Sequence, residues 1–147
     1  MPITTVADLM TDVVETLQVG DSLDLARHLL ERSRIRHLPV VDGQEHLIGL
    51  VTNRKILEAW VSHGRPNRER PGEVAHDIPV EMIMERDVLT VDPETAAAQA
   101  ARLLEGYKFG CLPVVKDRKL VGIVTEADFV RFARQYFEWE SKERPAP

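Results

Sequence analysis

Two hydroxyl residues stand where chemistry could be done. Thr125 follows the short apolar run Leu120-Val121-Gly122-Ile123-Val124, and Asp128 lies three residues further on. Such a run reads as a buried strand, and a threonine after it reads as the N-cap of a helix. A hydroxyl, unpaired backbone N–H groups and a carboxylate then surround one helix mouth. The mouth favours anions. The carboxylate beside it can accept from the two hydroxyls of a ribose. The same Thr-x-x-Asp spacing is also a variant capping box, which needs no ligand. Thr52 closes a similar run, Gly49-Leu50-Val51, but Lys55 stands three residues beyond it. An ammonium has donors only and cannot take a ribose hydroxyl proton.

Both stretches belong to an internal duplication. Pro39 and Pro113 each stand in Leu-Pro-Val-Val, 74 positions apart. The same offset pairs Met10 with Met84, Val14 with Val88, Thr16 with Thr90, Ala26 with Ala100 and Leu30 with Leu104. After a one-residue deletion it becomes 73 and pairs Gly49 with Gly122, Val51 with Val124 and Thr52 with Thr125. A repeat of this kind marks two units of one architecture.

The elements that must position these residues recur in the same order. In the first copy Ala7 to Met10 reads as a helical turn and Val13 to Leu17 as an extended segment. Ser22 to Arg32 has apolar residues at 23, 26, 29 and 30, the period of an amphipathic helix. Arg36 to Val41 and Leu47 to Val51 read as strands joined by a turn at Asp42-Gly43, and Asn53 to His63 as a helix. The second copy gives a turn around Met82, an extended Val88 to Val91, and a helix from Thr95 to Glu105. Strands Cys111 to Val115 and Lys119 to Val124 follow, then a helix from Glu126. The division expected is residues 1–62 and 79–134 for the repeats, 63–78 for a Pro/Gly/charge-rich linker, and 135–147 for a helical extension and tail. The last helix carries Phe129, Ala133, Tyr136 and Phe137 on one face, able either to close the core or to meet a second subunit.

Composition narrows the classes. A net charge of −5 over 147 residues disfavours broad binding to nucleic acid. Cys111 is the only cysteine, so no internal disulfide can form, and a structural zinc site would need more soft ligands. The N-terminus lacks a basic region followed by an apolar core, and no window is apolar enough for a membrane span; a cytoplasmic protein is expected. No nucleophile-and-base motif and no Gly-rich phosphate loop points to an enzyme. His28, His46, His63 and His76 are scattered and read as surface residues.

The duplicated β-α-β-β-α order, with Leu-Pro-Val-Val and a Gly-hydrophobic-hydrophobic-Thr strand end in each copy, resembles the CBS domain family, whose tandem pair is called a Bateman module. The resemblance covers roughly Val6 to Phe132. It implies an α/β fold of two repeats about a pseudo-two-fold axis, with clefts that take adenosine-containing ligands such as AMP, ADP, ATP or S-adenosylmethionine. Carried over, one cleft would use Thr125 and Asp128 with Val14, Ile35, Arg36, His37 and Pro39. Asp128 would hold the ribose, backbone at Ile35 and Arg36 would read the adenine edge, and Thr125, Arg36 and His37 would meet phosphates. The other would use Thr52 and Lys55 with Val88, Phe109, Gly110, Cys111 and Pro113. There Lys55 replaces the ribose carboxylate, so that cleft is either empty or lends Lys55 to phosphates, and one nucleotide per chain is expected. The function implied is a regulatory module that senses an adenine nucleotide, with no obligatory cofactor, and acts on an unidentified protein partner. The apolar face of the last helix, with the helix Ile56 to Val61, is expected to pair with its copy in a homodimer. The alternatives are a ligand-free dimerisation or interaction module, or a module that binds S-adenosylmethionine or nucleic acid.

Overall fold

The computed structural model describes residues 3, 5–33, 35–63 and 78–144. Most of the expected linker, with His76, lies outside the described residues. The chain forms two compact units. One comprises Glu15–Leu89 and Asp117–Leu120, the other Met1–Val14, Thr90–Lys116 and Val121–Pro147.

The first-repeat unit is built on a three-stranded sheet. Strand β1 (Leu17–Gln18) lies parallel to β2 (His37–Val41), which is antiparallel to β3 (Leu47–Thr52). Helix α1 (Leu23–Ser33) starts at Ser22, whose hydroxyl accepts the Leu25 N–H at 3.2 Å. Helix α2 (Asn53–His63) follows β3 directly. Leu17, Leu23, Leu30, Leu38, Val40, Val51 and Ile56 form the core, and Val80 and Met84 complete it. The latter two arrive on the lead-in segment of the second repeat, which begins with a 3-10 turn at Val80–Met82. Leu50 and Glu85 exchange N–H···O bonds of 2.9 and 2.8 Å, so this segment covers the free edge of β3.

The second-repeat unit follows the same plan. Helix α3 (Ala97–Gly106), strands β4 (Cys111–Lys116) and β5 (Lys119–Thr125), and helix α4 (Glu126–Glu143) surround Val91, Ala100, Leu104, Leu112, Val114 and Val124. Val6 completes this core from a 3-10 turn at Val6–Asp8, and Thr11 exchanges two 2.9 Å bonds with Ile123 on β5. Each repeat's lead-in segment is therefore built into the compact unit of the other repeat.

Glycine makes that docking possible. A Cβ at Gly122 would lie 2.7 Å from the Met10 sulfur and 3.0 Å from the Thr11 carbonyl oxygen. A Cβ at Gly49 would lie 2.5 Å from the Met84 sulfur and 3.0 Å from the Glu85 carbonyl oxygen. A glycine inside a strand marks such close backbone approach. The duplicated Met and Gly positions are thus two ends of one contact, made once in each unit.

Three expectations need correction. The extended segment Val13 to Leu17 shortens to Leu17–Gln18, and Val13 is 87% exposed. Likewise Val88 to Val91 forms no continuous strand, and Val91 makes an isolated parallel bridge to Val114. The Asp42-Gly43 turn is a longer loop. The Asp42 carboxylate accepts N–H bonds from Gln44 and His46 at 2.8 and 3.0 Å, and Glu45 takes the positive φ of 66°. The two-residue hairpin turn is at Asp117-Arg118 instead, where φ is 51° and 67°, both positive as a type I′ turn requires.

Candidate functional site

The mouth of α4 is set by strand β5. Val124 is fully buried and fixes the strand end, and Thr125 then takes extended backbone angles, φ −128° and ψ 167°, as an N-cap should. Asp128 folds back over this start. Its Oδ2 accepts the Thr125 N–H at 2.8 Å and the Thr125 hydroxyl at 3.3 Å. Its Oδ1 accepts from Nη1 of Arg131 at 3.2 Å. Asp128 is only 5% exposed, and it is the one buried charged residue among those described. A buried carboxylate is costly unless its acceptors are used, and three donors use them here. Thr5 and Asp8 make the same Thr-x-x-Asp bonds, at 3.0 and 3.3 Å, on an exposed 3-10 turn. Capping alone accounts for those bonds in both places. What distinguishes Asp128 is its burial.

The mouth of α2 is built alike but charged oppositely. The Thr52 hydroxyl accepts the Lys55 N–H at 3.1 Å, an ordinary N-cap bond. The first N–H of each helix goes to the loop ahead of the preceding hairpin: Asn53 to the Arg36 carbonyl at 2.9 Å, Glu126 to the Gly110 carbonyl at 3.2 Å. Where α4 has Asp128 followed by Arg131, α2 has Lys55 followed by Glu58, and Glu58 pairs with Arg54 at 3.3 Å. The reversal makes the two mouths unequal in chemistry.

The remaining candidates divide between the units. Val14 belongs with Thr125 and Asp128 in the second-repeat unit, carried there by the Thr11–Ile123 pairing. Val88 belongs with Thr52 and Lys55 in the first-repeat unit, carried there by the Leu50–Glu85 pairing. Ile35, Arg36, His37 and Pro39 lie in the first-repeat unit, Phe109, Gly110, Cys111 and Pro113 in the second-repeat unit. Pro39 and Pro113 are buried, Ile35 packs partly on its core, and Arg36 is exposed. Gly110 has a φ of 68°, with the Glu126 carboxylate 3.6–3.7 Å from where a Cβ would stand. Phe109 is held edge-on against Tyr107, ring centroids 5.1 Å apart, with the Lys108 ammonium 4.7 Å over its ring. The Cys111 side chain is wholly buried, and burial pushes its thiol up to about 12, so the sulfur is a neutral core atom. Any ligand contact at 111 is left to the backbone.

The sequence reading missed Arg131. Its signal was available: an opposite charge three residues past Asp128, the spacing at which helix side chains meet.

Comparison with known proteins adds three kinds of likeness. A model of the CBS domain matches residues 6–62 and again residues 80–135. The crystal structure of a proposed acetoin utilization protein, AcuB, from Vibrio cholerae aligns with 99% of this chain and 100% of its own, at 35% identity and a TM-score of 0.81. CBSX2 in complex with AMP aligns with 90% of this chain and 97% of its own, at 34% identity and a TM-score of 0.74. The CBS domain pair of protein MJ0100, in complex with 5′-methylthioadenosine and S-adenosyl-L-methionine, aligns with 92% and 99%, at 29% identity and a TM-score of 0.75. Curated relatives include longer proteins: the chain spans 32% of one and 24% of another, the latter a homoserine O-acetyltransferase of Methanococcoides burtonii, 34% identical over 129 residues.

Proposed function

The chain belongs to the CBS domain family, and on that premise we propose that it is a regulatory module that binds an adenine nucleotide and passes the bound state to a partner protein. The observation that carries this reading is the buried Asp128 carboxylate at a threonine-capped helix mouth. It stands in a chain 34% identical to a protein that binds AMP. In this reading Asp128 accepts from the ribose hydroxyls, backbone at Ile35 and Arg36 reads the adenine edge, and Thr125, Arg36 and His37 meet the phosphates. Val14 and Pro39 supply apolar contact. These roles come from the family pattern. Lys55 cannot accept hydrogen bonds from ribose hydroxyls, so the reading assigns one nucleotide to each chain.

Two observations favour other occupants. The MJ0100 pair holds S-adenosyl-L-methionine, so that ligand belongs in any test. The three donors on Asp128, together with the exposed Tyr136, Phe137 and Trp139 of α4, suit a ligand-free module that works by self-association. Thermal melts with AMP, ADP, ATP, S-adenosylmethionine and single-stranded RNA separate these readings. A ligand at 100 times its dissociation constant stabilises the native state by about 2.7 kcal/mol. The nucleotide reading expects that gain from at least one of AMP, ADP and ATP. No shift with any of them contradicts it.

A further inference from the structure

We propose that Arg131 guards Asp128, occupying in the free protein an acceptor that a ribose must take, and so sets the affinity for ribose-bearing ligands. The inference rests on the nucleotide reading above and deepens it.

A carboxylate offers about four acceptor positions. Asp128 has three filled: two on Oδ2 by Thr125, and one on Oδ1 by Arg131 at 3.2 Å. A ribose diol brings two donors, so one present donor must leave. The Thr125 N–H cannot leave without undoing the start of α4. The Thr125 hydroxyl faces the backbone N–H of residue 128 in the same capping box, so moving it loosens the helix start as well. Arg131 is held differently. Its single bond comes from a long side chain that is 58% exposed, against 4% for the Asp128 side chain. Released, its guanidinium returns to water at little cost. Arg131 is therefore the donor that yields, and its exchange for a sugar hydroxyl links ligand arrival to the exposed surface of α4. The first repeat has no such guard, because Lys55 and Glu58 reverse the charges.

Arg131→Ala and Arg131→Met both remove the competing donor while Thr125 still holds the carboxylate. Calorimetric titrations with adenosine and with AMP, at low and at high sodium chloride, test the idea. Both variants should bind adenosine roughly two- to fivefold tighter than the unaltered protein, the range of a partly exposed ion pair. Salt screens the Arg131–Asp128 pair, so adenosine binding by the unaltered protein should tighten as salt rises, and that response should vanish in the variants. Equal or weaker adenosine binding by both variants overturns the guard. So does a loss confined to AMP, which would make Arg131 a phosphate ligand. If the unaltered protein binds neither ligand, the nucleotide reading fails and the guard fails with it. Binding by the unaltered protein with no effect of Arg131 removes the guard alone.

Discussion

Asp128 shows how one residue can satisfy two accounts at once. Thr-x-x-Asp was legible in the sequence as either a cap or a ribose site, and both begin from the same bonds. The burial and the arginine were not legible, because they depend on the helix surface around it. Asp128→Asn keeps the size but loses the charge and one acceptor. The cap role predicts a stability loss of a few tenths to about 1 kcal/mol, measured by urea unfolding. A loss well above that would mean the Asp128–Arg131 pair holds more of the fold than a cap does. Cys111 gives a second test at this scale. It lies in the apolar strand expected from Cys111 to Val115, while the family resemblance implied a ligand contact for Cys111 itself. With its thiol pushed up to about 12 by burial, it stays protonated at neutral and mildly alkaline pH. A thiol reagent at pH 8 should leave it unmodified in the native protein and react fully in denaturant. Rapid native labelling would place the sulfur at the surface.

At the scale of elements, the 2.0 and 3.6 residue periods gave the helices and the paired strands nearly at their observed bounds, with α2 at Asn53–His63 as expected. The lead-in segments were another matter. Their turns were visible, but a sequence does not say which repeat a segment docks on. The clue lay in strand glycines with no turn to make. Gly122→Ala should force Met10 and the Thr11 carbonyl away from β5, at a cost of about 1–3 kcal/mol. Pairing it with Met10→Ala should reduce that cost, since part of the clash goes with the sulfur. An unchanged melting temperature in Gly122→Ala would show that the segment is not held there. The loop at Asp42 was misread for a related reason. Asp-Gly favours a tight turn, but bonds from the Gln44 and His46 N–H groups to the aspartate support a longer one.

For the whole molecule, the duplication made the family resemblance readable over nearly the full chain, and the comparisons bear it out. A homodimer was expected from the sequence, but how two chains pack was not readable. The aromatic face of α4 could have closed a core, and Phe129 does pack on one. Tyr136, Phe137 and Trp139 remain 40%, 60% and 47% exposed. We expect a homodimer at micromolar concentration that buries more than ~1,000 Å², with α4 contributing. Sedimentation should show the dimer, and Phe137→Glu should weaken it. A monomer at high concentration would rule it out.

Calorimetric titration of AMP into the unaltered protein and Asp128→Asn tests whether a ribose binds at Asp128. One site per chain is expected, with binding weaker by about 1.5–3 kcal/mol in the variant, roughly tenfold to over a hundredfold. AMP binding equally tight in both proteins, with only the variant's stability reduced, would make the carboxylate a helix cap and exclude it as a ribose site.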